Sequence, residues 1–207
     1  MFRGLLLDLD DTLYDRSAAF ASWADHVAGA QLGRALATSE LIALRGFDGR
    51  GHRPRAAFAG DARSLGLIVD PDRFPFELAE HVEPEPLARE TLEDLARTRR
   101  IAIVTNGGGA QRVKLARLGI DWIATVFVSG ELGVAKPEPE MFARALRWIA
   151  LPETEVVFVG DHPEIDLMPA AALGMTTVWR VRGEWSAGAP PADYRIERIA
   201  ELAEICA

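Results

Sequence analysis

Four short segments of this chain share one pattern, an apolar run closed by a polar side chain or a glycine-rich turn. Residues 2–8, Phe-Arg-Gly-Leu-Leu-Leu-Asp, end in Asp8, and residues 101–107, Ile-Ala-Ile-Val-Thr-Asn-Gly, pass through Thr105 into glycines. Residues 126–130 reach Ser129, and residues 156–161, Val-Val-Phe-Val-Gly-Asp, end in Asp161. Runs without polar alternation predict strands buried on both faces, as in a parallel sheet. Helix-like stretches follow the last three at 111–118, 139–150 and 164–173. A further strand-like run, Met175-Thr-Thr-Val-Trp, precedes a Gly/Pro-rich loop at 183–191 and a closing helix over 196–205.

Strands alternating with helices predict an α/β fold: a Rossmann-like, mostly parallel sheet with helices on both faces and functional groups gathered at the C-terminal strand ends. A gap of roughly 90 residues separates the first strand from the second, too long for one crossover helix. It reads as helical at 18–32, 39–45, 61–65 and 74–81, and a further helix is expected over 87–97. The expected domains are therefore an α/β core, residues 1–15 and 85–207, and an inserted helical module, residues 16–84.

Composition narrows the function. With 207 residues and 49% hydrophobic content, the chain can bury a substantial core. Cys206 is the single cysteine, which excludes an internal disulfide framework and a cysteine-based zinc site. The net charge is -8, and no basic run exceeds the Arg99-Arg100 pair, so no nucleic-acid polymer is expected as a partner. The N-terminal apolar run meets carboxylates too soon for a signal peptide or membrane span, so a cytoplasmic protein is expected. Only two of the 23 basic residues are lysines, Lys114 and Lys136, which makes each informative.

Asp8 and Asp10 stand two positions apart at a strand end, where a turn can aim both into one cleft. Such a pair requires a proton or a nearby cation; ordinary turn residues would give the same letters. Asp11 and Asp15 read as solvated turn residues or caps. Asp161 adds a carboxylate at another strand end. Asp166 is either a helix-start acid or part of the same site. Hard oxygens converging in this way suit Mg²⁺. Thr105, Asn106 and Gly107 offer a hydroxyl, an amide and a flexible backbone that can cradle a phosphoryl group. Lys136 is pinned by Pro137 in a loop, aimed at the cleft or at solvent. Lys114, beside Arg112 and Arg117, reads as part of a solvated helix face.

In order, Asp8-x-Asp10-x-Thr12-Leu13, Thr105-Asn-Gly, Lys136-Pro and Gly160-Asp161-x4-Asp166 resemble the four motifs of the haloacid dehalogenase superfamily. The insert resembles the helical cap of the subgroup containing phosphoglycolate phosphatases, nucleotidases, β-phosphoglucomutase and dehalogenases. The resemblance implies a phosphatase in which Asp8 attacks phosphorus, giving an aspartyl-phosphate, while Asp10 serves as general acid and base. It implies that Thr105 and Lys136 hold phosphoryl oxygens, with Asn106 and Gly107 beside them. It also implies a Mg²⁺ site formed by Asp8, the backbone carbonyl of Asp10, Asp161 and Asp166.

Dehalogenases of the superfamily lack the second acid of the first motif, so Asp10 argues against carbon–halogen cleavage. Phosphonate-cleaving members use a cap lysine, and residues 16–84 contain none. The expected partner is a small phosphorylated metabolite. A phosphomutase, a receiver-like domain and a non-catalytic phospho-binding module are the alternatives. His162 stands where the superfamily often has a small residue. His26, His52 and His81, with Arg50, Arg53 and Arg55, either read an anionic part of the substrate or belong to a solvated region. The sequence leaves monomer or homodimer open.

Overall fold

Leu5, Leu6 and Leu7 are fully buried, and the strand that carries them, β1 (Gly4–Leu7), is an inner strand of the sheet. Each such side chain contributes about 1.5–3 kcal/mol through burial. The computed structural model describes residues 2–182 and 192–207, so the loop expected at 183–191 lies outside the described residues.

Along the chain, β1 is followed by helices α1 (Arg16–Leu32), α2 (Thr38–Asp48), α3 (Arg55–Ala62), α4 (Phe74–Ala79) and α5 (Ala88–Ala96). Strand β2 (Arg100–Thr105), helix α6 (Ala110–Arg117), strand β3 (Val126–Val128) and helices α7 (Ser129–Leu132) and α8 (Pro139–Ile149) come next. The remainder is β4 (Val156–Gly160), α9 (Met168–Ala172), β5 (Thr176–Arg180), β6 (Tyr194–Ile196) and α10 (Leu202–Ile205). Among the described residues the strands form one six-stranded sheet in the order β3-β2-β1-β4-β5-β6, every pairing parallel. This is the α/β, Rossmann-like fold that the strand–helix alternation predicts.

The register places Leu6 beside Ala102 and Phe158. Alternation along each strand puts these residues and Val104 on one face. There they pack with Met141, Phe142, Ala145 and Ile149 of α8, and with Ala170 of α9. Chain order reverses direction at β1, with β2 on one side and β4 on the other, so the tips of these strands flank a switch point.

The chain divides into two compact units, Met1–Asp15 with Pro84–Ala207, and Arg16–Glu83. The second is helical and has its own aromatic core. Phe20 and Trp23 of α1 meet Phe58 and Phe74, with ring centroids from 4.7 to 6.2 Å apart. Inside the same unit Arg16 and Asp48 form a buried pair at 2.6 Å.

Three expectations change. The helix expected over 196–205 is instead the end of β6, a 3-10 turn and the short α10, because Ile196 pairs beside Arg180 in the sheet. The helix expected over 164–173 opens with a π-helical turn, Pro163–Leu167. The helix expected at 61–65 lies earlier, as α3, with only a 3-10 turn over Arg63–Leu65.

Candidate active site

Asp8 follows β1, Thr105 ends β2 and Asp161 follows β4, so three adjacent strand tips deliver a carboxylate, a hydroxyl and a second carboxylate to one sheet edge. Asp8 is buried, and its backbone N–H donates to the carbonyl of Val159 at 2.9 Å. Lys136 Nζ donates to Asp8 Oδ1 at 2.5 Å and to Asp166 Oδ1 at 2.6 Å. Thr12 Oγ1 donates to the other oxygen of Asp8 at 3.0 Å. Asp8 therefore has both oxygens engaged.

The Lys136 loop is held from β2. Asn106 Nδ2 donates to the carbonyl of Lys136 at 2.8 Å, and its Oδ1 accepts the Lys136 N–H at 2.9 Å. The amide of Asn106 thus brackets the backbone that aims the ammonium, while Asn106 stays beside Thr105 at the strand tip. Asp166 comes from the π-helical turn, which sets its side chain directly over Gly160. A Cβ on Gly160 would lie 2.5 Å from Asp166 Cβ, so only glycine permits this approach. His162 caps the turn: its Nδ1 accepts from Ile165 N–H at 3.3 Å, and its own N–H donates to Asp166 Oδ2 at 3.1 Å. The Nδ1 of its ring is thereby engaged within the loop, and the bond to Asp166 comes from its backbone N–H.

The charge balance is lopsided. The carboxyl of Asp8 is raised to about 7: burial pushes it up most, the Lys136 ammonium pulls it part of the way down, and the charge of Asp166 pushes it up again. Burial would lower Lys136, but Asp166 and Asp8 outweigh it and hold its pKa above the ordinary value. Two buried carboxylates share one ammonium, so another cation is favoured there. Oxygens of Asp8, Asp161 and Asp166 lie within 4.8 Å of one another, a hard-donor set that fits a divalent ion such as Mg²⁺.

Asp10 occupies different surroundings. Lys114 Nζ donates to its Oδ1 at 2.6 Å, Tyr14 Oη donates to the same oxygen, and Gln111 Nε2 donates to Oδ2 at 2.6 Å. Lys114 therefore does not lie on a solvated face, as its neighbours Arg112 and Arg117 suggest. It is buried because α6 turns the side of Gln111 and Lys114 toward Asp10. Gln111 and Tyr14 are additions that sequence reasoning missed. The available signals were the three-residue spacing of Gln111 and Lys114 and the scarcity of lysine.

Gln111 Nε2 also lies 2.6 Å from Thr105 Oγ1. Gly107, at φ 144°, makes room for it, since a Cβ there would sit 2.9 Å from the Gln111 side chain. Ser129, just past β3, accepts the Gly107 N–H at 2.9 Å. Asp11, expected as a solvated turn residue or cap, is buried at φ 57°, and its carbonyl accepts from Arg182 at 2.8 Å. In the helical unit Arg53 is engaged locally, with the carbonyl of Phe47 at 3.0 Å and with Asp61 at 2.9 Å. His81 Nδ1 lies 2.8 Å from Ser22 Oγ.

A family model described as haloacid dehalogenase-like hydrolase matches residues 2–174. The chain belongs to this family. A glyceraldehyde 3-phosphate phosphatase from Methanocaldococcus jannaschii is 29% identical over 221 residues, covering 99% of this chain and 97% of that protein. A phosphoserine phosphatase from Thermus thermophilus is 38% identical over 104 residues, 47% of this chain and 42% of that protein. The fold of the haloacid dehalogenase-like hydrolase YfnB from Bacillus subtilis, solved with magnesium, matches with a TM-score of 0.80 at 22% identity, covering 99% of this chain and 98% of that one. No helix among the described residues is long and apolar enough to cross a membrane.

Proposed function

We propose that this haloacid dehalogenase-like hydrolase is a Mg²⁺-dependent phosphatase that cleaves a small phosphomonoester through an aspartyl-phosphate on Asp8. The observation that carries the reading is the buried carboxylate of Asp8, gripped by Lys136 at 2.5 Å and grouped with the oxygens of Asp161 and Asp166. Asp8 attacks phosphorus, and Asp10 protonates the leaving alkoxide and later takes a proton from the hydrolytic water. Thr105 and the backbone N–H of Asn106 hold phosphoryl oxygens, while the Gly107 N–H, bound to Ser129, shapes the turn beside them. Lys136 aligns the nucleophile and offsets charge on the transferring group. Asp8, Asp161 and Asp166, with the backbone carbonyl of Asp10, would hold Mg²⁺. When bound, the ion supplies positive charge that offsets the clustered carboxylates and the phosphoryl oxygens.

The helical unit is the proposed cap that selects the substrate, a small phosphorylated metabolite. The full-length similarity to a glyceraldehyde 3-phosphate phosphatase makes three-carbon sugar phosphates the first compounds to try. Hydrolysis of p-nitrophenyl phosphate with Mg²⁺ and with a chelator tests the reading. Turnover should require the metal, and no turnover in either condition would turn the reading to a phospho-binding module.

A further inference from the structure

Asp10 is held from both sides by one face of one helix. Gln111 and Lys114, three residues apart on α6, are both buried and donate to opposite oxygens of its carboxylate, each at 2.6 Å. A single donor leaves a carboxylate free to rotate, whereas donors on both oxygens fix its plane. The nitrogen of Gln111 that meets Asp10 also lies 2.6 Å from Thr105 Oγ1, so one amide ties the proposed acid and base to a proposed phosphoryl-holding hydroxyl. A buried ion pair is weak ground for stability, because apolar replacements of similar volume are often neutral or better. Placement is what this pair supplies.

We infer that Gln111 and Lys114 are positioning residues for proton transfer at Asp10, an inference that rests on the phosphatase reading above. In the first half-reaction the Asp8 oxygen bonds phosphorus, the ester P–O bond breaks, and the proton of Asp10 passes to the departing oxygen. In the second, water bonds phosphorus, the Asp8–phosphorus bond breaks, and the water proton returns to Asp10. Each transfer requires an Asp10 oxygen within hydrogen-bond reach of the departing or attacking oxygen, aimed at its lone pair or its O–H, and a rotated carboxylate loses that alignment. Neither Gln111 nor Lys114 exchanges a proton with substrate.

The experiment compares the full chain with Lys114→Met, Gln111→Leu and Lys114→Arg, all with Mg²⁺, on phenyl phosphate and p-nitrophenyl phosphate. Phenolate leaves poorly without a proton, and p-nitrophenolate leaves readily. The readout is kcat/KM, which reports the half-reaction in which the leaving group departs. In Gln111→Leu, which strips the helix donor from Oδ2, kcat/KM on phenyl phosphate should fall by about 10²-fold, the lower range for loss of general acid–base catalysis. In Lys114→Met, where Tyr14 still donates to Oδ1, it should fall by less, and on p-nitrophenyl phosphate both variants should lose far less than on phenyl phosphate. Lys114→Arg should restore most of the loss. Equal losses of kcat/KM on both substrates, or no loss, would overturn the inference. Gln111→Leu keeps it falsifiable should Lys114→Met fail to fold. A parent chain that cleaves neither ester would sink the phosphatase reading, and this inference with it.

Discussion

Asp8 and Asp10 are two residues apart, yet they are held in opposite ways. Asp8 is buried and shares Lys136 with a second carboxylate, so negative charge there exceeds the cation that balances it. The Asp10 side chain is 24% exposed and has a lysine, an amide and a hydroxyl directed at it. The chain's two lysines thus serve one member each of Asp8-Leu9-Asp10. The first site is short of positive charge, which fits the proposed role of Asp8 beside a metal ion. The second is rich in donors, which fix the plane of a carboxylate and keep its aim.

The sharpest break in this comparison is Asp8→Asn. Without the nucleophile, hydrolysis of p-nitrophenyl phosphate should fall by at least ~10³-fold while circular dichroism stays unchanged. Near-normal turnover would remove the assignment of roles to the two acids. Next come the lysines. Lys136→Met leaves two buried carboxylates facing each other and should cost about 3–5 kcal/mol in urea unfolding. Lys114→Met leaves Asp10 with its remaining donors and some water, and should cost about 1–3 kcal/mol. A larger loss for Lys114→Met would mean that the two sites have been ranked in the wrong order.

A further effect follows from pH. The carboxyl of Asp8 rises from 3.8 in the unfolded chain to about 7 in the fold, so between these values the folded state binds more protons than the unfolded state. The contribution of this group to stability therefore grows as pH falls through about 7 and levels off below 3.8. Unfolding curves of metal-free protein should show this slope, and Asp8→Asn should flatten it. Mg²⁺ favours the carboxylate and should flatten it as well. A slope that is the same in parent and variant would exclude Asp8 as its source.

Much of the site was legible because its residues are anchored by patterns that depend on sequence alone. An apolar run followed by Asp8, Thr105 or Asp161 announces a buried strand and its tip, and a parallel sheet then brings the tips together. Pro137 and the rarity of lysine left Lys136 aimed at the cleft or at solvent, and the resemblance of the four motifs assigned it to the site. Lys114 was not legible, because Ala-Gln-Arg-Val-Lys-Leu-Ala-Arg carries polar residues on more than one side of the helix and no local rule says which side faces an acid 104 positions earlier. The π-helical turn was hidden for a similar reason. Glu164 to Leu173 reads as a regular helix, and only the tertiary position of Asp166 over Gly160 gives the wider turn its purpose. Strand β6 is three residues long and depends on β5 for its pairing, so its own sequence carries little signal.

The smallest effect belongs to the outward side of α6, where Arg112 pairs with Glu131 at 2.7 Å. Both side chains are about half exposed, 53% and 41%. Water and salt therefore screen the attraction, and the two long side chains lose freedom in making it. Arg112→Ala should change stability by less than about 1 kcal/mol, and that difference should shrink further in high salt. Activity on both aryl phosphates should be unchanged, because Arg112 makes no contact with Asp10 among the bonds described. Lys114→Met, two residues along the same helix, should show the reverse profile: a loss that persists in salt and is largest on phenyl phosphate. If the two substitutions behaved alike, the inward face of α6 would be an ordinary helix surface, and the contrast between the carboxylates of Asp8 and Asp10 would lose its structural basis.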